Sequence, residues 1–150
     1  MNWPSLSHTA TISSISQFYS IPSISTNITF ANYVGNEFST SYSLIFTRFL
    51  FLTRIEIGNE CFKHVREFVI DGLKSVESVK IGELCFRISD DERDDGVCQI
   101  TNCPNLRQLE IGDDSFEDFK SFELSNLNSI QSIKFGDDCF KYADFLLKGE

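Results

Sequence analysis

Apolar and polar residues alternate in short blocks that recur along most of this chain. Each block reads apolar-x-apolar-Gly, with a polar residue at x, and a Cys-Phe or Ser-Phe pair stands three residues after the glycine. Alternation with a period of two is typical of a short, half-buried β-strand. A glycine directly after the strand permits either a positive φ or a close approach of two backbone segments. Four clear copies begin at Ile55, Val79, Leu109 and Ile133.

A second apolar block lies six and eight residues after the repeat phenylalanine, at residues 68–70 and 122–124. Residues 44–46 keep the same offsets from Phe38, and residues 98–100 are the counterpart after a six-residue insertion. A unit with two three-residue strands cannot bury its own apolar face, but stacking on neighbouring copies buries it. The sequence therefore predicts two short parallel strands per 24-residue repeat, joined by a tight turn or a short helical turn, and stacked as a solenoid.

The spacing of the repeats extends this prediction towards the amino terminus. The block glycines stand 24, 30 and 24 residues apart, and a step of 24 back from Phe62 reaches Phe38. A degenerate fifth copy is thus predicted to begin near Ile28. One stacked ring per repeat, together with partner rings in the second strand, explains why the chain has 15 phenylalanines but one tryptophan. The predicted spine consists of Phe38, Phe62, Phe86, Phe116 and Phe140.

The pattern L-x-x-L-x-x-L-x-I-G-x-x-x-F, seen at residues 127–140, resembles divergent leucine-rich repeats of the BspA-like type. In that family the I-G-x-x-A-F segment closes a strand and opens a short helical turn, and Cys or Ser takes the alanine position here. The resemblance covers residues 28–150 and implies a leucine-rich-repeat-like solenoid. It also implies a protein–protein interaction module without catalytic activity. The alternatives are a cell-surface adhesin of the BspA-like kind and a fragment of a longer repeat array.

The chain divides into two regions on this interpretation. Residues 1–27 are rich in Ser and Thr and carry no Asp, Glu, Lys or Arg, which suggests an uncharged tail or a partial cap. Residues 28–150 hold about four to five repeats, with an acidic insertion at residues 87–97. The sequence ends directly after a predicted strand with no polar cap, so we expect self-association through uncapped solenoid ends, or a longer array.

Charge and composition exclude several classes of partner. The formal net charge is −9 and no basic run is present, which argues against nucleic acid and against an anionic membrane surface. No segment has the roughly 18 to 20 consecutive apolar residues that cross a bilayer, and no signal peptide is evident. Five cysteines, an odd number, favour reduced thiols. We therefore expect a cytoplasmic protein. Asn27-Ile-Thr29 is a glycosylation sequon, which has meaning only in a secreted protein.

The sequence shows no catalytic motif, and its only histidines are His8 and His64. Three cysteines share one position of the repeat with Ser115, which indicates a packing role rather than a nucleophile. The spacing of Cys98 and Cys103 differs from that of zinc knuckles, and the acidic insertion does not fit the calcium-binding loop of an EF-hand. The predictions are therefore no enzyme activity, no cofactor and no metal.

Two groups of charged residues are the candidates for contact with a protein partner. The outward residues of the first strand alternate in sign along the repeats, which favours a stabilising ladder across the sheet, with a recognition stripe as the alternative. The acidic insertion is the second group, because insertions in repeat proteins often lie on the binding face. The candidate residues are Arg54, Glu56, Lys80, Asp90, Asp91, Glu92, Asp94, Asp95, Glu110 and Lys134.

Overall fold

A computed structural model describes residues 8–37, 42–87 and 96–148, and these contain eleven strands and one short helix. The order is β1 (Thr9–Ile12), α1 (Ile15–Ser20), β2 (Asn27–Phe30), β3 (Tyr42–Ile45), β4 (Arg54–Ile57), β5 (Val65–Asp71), β6 (Ser78–Ile81), β7 (Gly96–Thr101), β8 (Gln108–Ile111), β9 (Phe119–Ser125), β10 (Ser132–Phe135) and β11 (Asp144–Lys148). No helix in these ranges is long and apolar enough to cross a membrane.

The strands form two sheets. The six-stranded sheet has the order β1-β2-β4-β6-β8-β10, and the five-stranded sheet has the order β11-β9-β7-β5-β3. Every strand pair in the described residues is parallel. From β2 onward the chain passes from one sheet to the other and back, so each repeat contributes one strand to each sheet. The inward residues of both sheets meet in a single apolar core.

The prediction of a leucine-rich-repeat-like solenoid is wrong. The molecule is a two-sheet fold of parallel strands, and its one described helix, α1, precedes the repeats rather than recurring within them. The physical reason lies in the second apolar block. In two repeats it extends to seven residues, as in Val65–Asp71 and Phe119–Ser125. The second-block strands of the repeats, including the four-residue Tyr42–Ile45, hydrogen-bond side by side into a five-stranded sheet of their own, and this sheet shares one core with the six-stranded sheet.

The register of the six-stranded sheet follows the repeat pattern through its last four strands. Ile55 pairs with Val79, and Val79 pairs with Leu109, so the first residues of successive blocks lie side by side. The first copy departs from the predicted spacing, because Ile28 pairs with Ile55 and not with the residue at a step of one 24-residue repeat. The position equivalent to Phe62 is therefore Gly35 and not Phe38, which lies outside the described residues.

The repeat phenylalanines stack through the core. The ring centroids of Phe62 and Phe86 are 5.3 Å apart, those of Phe86 and Phe116 are 4.4 Å apart, and those of Phe116 and Phe140 are 4.7 Å apart. Interplanar angles of 24°, 9° and 10° make all three contacts stacked. All four residues have φ between 54° and 61°, and this left-handed conformation turns each ring inward directly after the turn.

The two ends of the core differ. The sequence allowed two interpretations of residues 1–27, an uncharged tail and a partial cap. From residue 8 onward the structure places β1 beside β2 and α1 over the core. The ring of Phe18 lies 5.4 Å from that of Phe46, and Arg48 donates a 2.7 Å hydrogen bond to the Phe18 carbonyl. At the other end Ile133 and Phe135 are 41% and 37% exposed, although their equivalents in β8 are buried. Self-association through that end stays a prediction.

The block glycine is required by a close approach of backbones. A Cβ added to Gly112 would lie 2.7 Å from the carbonyl carbon of Gly82 and 2.8 Å from the amide nitrogen of Glu83. The φ of Gly112 is not positive, and the left-handed residues of this turn are instead Asp114 and Phe116. Of the two reasons for a glycine here, the close approach is therefore the one that applies.

We predict that Gly112→Ala lowers the free energy of unfolding by about 1–3 kcal/mol, because the added carbon overlaps backbone that cannot move without separating two strands. The matched control is Gly72→Asn. Gly72 has φ of 73° and open space around it, and Asn102 and Asn126 hold the equivalent position with φ of 55°. The control should change stability by no more than about 0.5 kcal/mol. Urea denaturation measures both, and equal losses would contradict the prediction.

Candidate protein-binding face

The outward face of the six-stranded sheet collects the charged residues that the repeat pattern singled out. Strand pairing places Glu56 beside Lys80, Lys80 beside Glu110, and Glu110 beside Lys134, in one row across the sheet. The row continues through Thr29 and Thr11 towards the amino terminus. A parallel row two residues earlier contains Thr9, Asn27, Arg54, Ser78, Gln108 and Ser132.

Ion pairs on this face are weak. The Lys80 ammonium lies 4.0 Å from a Glu110 carboxylate oxygen, and the Arg54 guanidinium lies 3.7 Å from Glu56. These side chains are between 43% and 62% exposed. Exposed pairs of this kind contribute about 0–1 kcal/mol each, since water competes for both partners. The row therefore leaves its charged groups available to a partner at little cost in stability.

A polar groove runs along the amino ends of the strands on this side. It encloses about 520 Å³ and is lined by amide, hydroxyl and charged side chains. The lining residues are Asn27, Thr53, Arg54, Glu77, Ser78, Arg107, Gln108 and Gln131. Sequence reasoning missed Thr53, Glu77, Arg107 and Gln131, because they precede the strands and fall outside the two-residue alternation. The signal that could have found them is their shared position, directly before the first outward residue of each block.

An apolar cleft lies at the amino-terminal end of this groove. It encloses about 350 Å³ and is lined by His8, Ile24, Thr26 and Phe51. Ile24 is 48% exposed and Phe51 is 57% exposed, and Leu50 beside it is 61% exposed. The sequence analysis did not identify this cleft, because its residues come from segments between the strands that lie far apart in the sequence.

The remaining candidate contact residues, Asp90, Asp91, Glu92, Asp94 and Asp95, lie outside the described residues. Asn27, the sequon asparagine, lies in β2 and uses both ends of its amide. Its Oδ1 accepts a 2.9 Å hydrogen bond from the Thr53 hydroxyl, and its Nδ2 donates to Thr9 Oγ1 at 3.3 Å. A glycan on this nitrogen would replace one of its two hydrogens and leave one to donate.

The shared Cys/Ser position forms a row of hydrogen-bond donors between repeats. Cys85 Sγ donates to the Gly58 carbonyl at 3.0 Å, Ser115 Oγ to the Gly82 carbonyl at 2.8 Å, and Cys139 Sγ to the Gly112 carbonyl at 2.9 Å. Cys61 Sγ makes the same contact with Ala31 at 3.1 Å. The position therefore does more than pack, because each donor satisfies a backbone carbonyl of the preceding repeat.

The thiols are placed for this structural role. The neighbouring Cys61 thiol and burial together raise the pKa of Cys85, and burial alone raises the pKa of Cys98 well above its ordinary value. No thiol hydrogen-bonds His64 within the described part of the chain. Nor do the described residues bring three His, Cys, Asp or Glu side chains together in a way that could hold a metal ion.

No protein family, curated protein or solved structure matches this chain.

We predict that Ser115→Ala lowers the free energy of unfolding by about 1–3 kcal/mol. The change removes the donor to the Gly82 carbonyl, and it also removes the acceptor of a 3.1 Å hydrogen bond from the Cys85 amide. Ser115→Cys is the matched control, because it restores the thiol donor that three other repeats use. Urea denaturation should show the alanine variant well below the cysteine variant. Equal stabilities would mean that the position requires only a small side chain.

We also predict that the protein loses stability at high pH. The pKa of Cys98 is raised in the folded state, so the unfolded chain releases this proton at lower pH than the folded chain. The contribution is full below the unfolded thiol pKa and is lost as the pH rises above it. Urea midpoints at pH 7.5 and pH 10, measured under reducing conditions, should fall further for the wild type than for Cys98→Ala. Equal falls would contradict this origin.

Proposed function

We propose that this protein is a non-catalytic interaction module that binds a protein partner through the outward face of its six-stranded sheet. The observation that carries the proposal is the contrast between the two faces of that sheet, one of which packs in the core while the other is polar. The inward residues of β4, β6 and β8 are buried, whereas the outward residues in both rows are polar and leave the core unchanged. A flat surface of this kind can vary in chemistry while the fold stays constant.

Several features support a protein partner over other kinds. The net charge of −9 opposes binding to phosphate-rich nucleic acid. The outward face mixes both signs of charge with amides and hydroxyls, which is the composition of the polar part of protein interfaces. The thiols of Cys61, Cys85 and Cys139 donate to backbone carbonyls of the preceding repeat. Burial raises the pKa of Cys98 and Cys103, so the proposed role is binding and not nucleophilic chemistry.

The test reverses charge on the face and compares it with an equal change elsewhere. Lys80→Glu combined with Lys134→Glu alters the charged row, and both side chains are exposed in the wild type. The matched control, Lys63→Glu combined with Lys120→Glu, makes the same change in net charge at exposed positions away from this face. We expect the immobilised control to capture the same proteins as the wild type from an extract of the cells that express it.

The face variant should capture at least about fivefold less of a specific partner, which corresponds to the loss of one or two ion pairs. Quantitative mass spectrometry of the captured proteins measures the ratio. Two results would overturn the proposal: capture that is unchanged by the face variant, and capture that the control reduces equally.

A further inference from the structure

We infer that the amino ends of the strands in the six-stranded sheet form a binding site for an extended peptide segment in which an apolar residue is followed by carboxylates. This inference rests on the proposed function, because it assigns a kind of partner to one part of the same face. It joins two features of the structure, the apolar cleft around Phe51 and the polar groove that begins beside it.

The cleft supplies the site for the apolar residue. Its accessible lining is almost entirely apolar, and Ile24 and Phe51 expose about half of their side chains there. Neighbouring exposed apolar side chains that form one patch mark surfaces for protein contact. A large side chain seated in a pocket is also the usual centre of such a contact.

The cleft and the groove are lined by neighbouring parts of the chain. Thr26 of the cleft directly precedes Asn27 of the groove, and Phe51 stands two residues before Thr53. The backbone connects them as well, because the amides of Thr53 and Arg54 both donate to the Thr26 carbonyl, at 2.7 Å and 3.2 Å. The groove passes the amino ends of β2, β4, β6 and β8. These four strands span about 14 Å, because neighbouring strands are about 4.8 Å apart.

The charges of the groove favour carboxylates. Arg54 and Arg107 line it with a single carboxylate, Glu77, whereas the chain as a whole has a net charge of −9. Within the described residues Arg107 has no ion pair, and the contact of Arg54 with Glu56 is long and exposed. An acidic segment is repelled by most of this protein and attracted at this groove.

The spacing of the two arginines sets the spacing of the carboxylates. Arg54 begins β4 and Arg107 directly precedes β8, two strands further on, which is about 10 Å. An extended chain rises about 3.3 Å per residue, so the two carboxylates should stand about three residues apart. Glu77 lies between the arginines and disfavours a third carboxylate there. Asn27, Ser78 and Gln108 offer hydrogen bonds to the peptide backbone.

The experiment measures binding of three fluorescein-labelled peptides to the full 150-residue chain by fluorescence anisotropy. The test peptide is GSFSDSSDSG, the second carries lysines in place of both aspartates, and the third carries serine in place of the phenylalanine. We expect the test peptide to bind about tenfold more tightly than the lysine peptide and several-fold more tightly than the serine peptide. The preference for aspartate should shrink as salt is raised, because salt screens exposed charges.

Variants locate the site. Arg107→Glu and Phe51→Ser should each weaken the test peptide about five- to tenfold, and both residues are exposed, so neither change disturbs the core. Lys120→Glu and Tyr142→Ser are the matched controls. They make comparable changes, from a basic to an acidic side chain and from an aromatic side chain to serine, at exposed positions away from the groove, and they should leave the affinity within twofold.

Three results would overturn the inference: equal affinity for the aspartate and lysine peptides, unchanged affinity in both groove variants, and an equal loss in the controls. The proposed function has its own readout in the Lys80 and Lys134 variant. If that variant loses its captured partner while the peptides show no discrimination, the outward face binds a protein but the groove is not a site for acidic peptides. If the peptide result holds and the capture result fails, binding is confined to the groove.

Discussion

The close contact between the backbones of successive repeats is the constraint on which the rest of this structure depends. At the end of each first strand the chain comes so near to the preceding repeat that Gly112 has no space for a Cβ. The carbonyl of that preceding glycine is turned towards the next repeat, where a thiol or hydroxyl donates to it. The residue after the donor is then held in the left-handed conformation, which sends the phenylalanine ring into the core.

These linked requirements explain why the outward rows carry the variation in this chain. The glycine, the donor and the phenylalanine each satisfy a neighbour above or below, so a change at any of them affects two repeats. The outward side chains of the six-stranded sheet take no part in these contacts. A function carried by that face can therefore change in evolution without disturbing the contacts that hold the repeats together.

The repeat pattern predicted the strands of the last four repeats well, because alternation and spacing are direct consequences of stacking. It was wrong about the architecture, since two strands per repeat do not by themselves reveal that the strands assemble into two separate hydrogen-bonded sheets, one of six strands and one of five. It placed the start of the first copy near Ile28, which does pair with Ile55, but it assigned Phe38 rather than Gly35 to the position of Phe62. The longer step there depends on how Ile28 meets Ile55, and the spacing of the later repeats carries no information about that contact.

The candidate site was only half predictable, for a related reason. Glu56, Lys80, Glu110 and Lys134 were found because they lie inside the alternating blocks. Arg107 and Glu77 were missed because the turn before a strand has no period of its own, and Phe51 was missed because the cleft is assembled from turns far apart in the sequence. Surfaces built from turns are specified by the three-dimensional arrangement more than by local pattern.

The insertion after β6 shows which corner of the repeat is free to change in length. Strands on both sides of it keep their partners, since Val79 pairs with Leu109 in one sheet and Phe68 pairs with Cys98 in the other. The strand pairing in both sheets is therefore independent of the number of residues that connect the sheets at this corner. For protein engineering, this makes the corner after Phe86 a natural acceptor for a grafted loop or an epitope, and a place where the chain can acquire a new surface without redesign of its core.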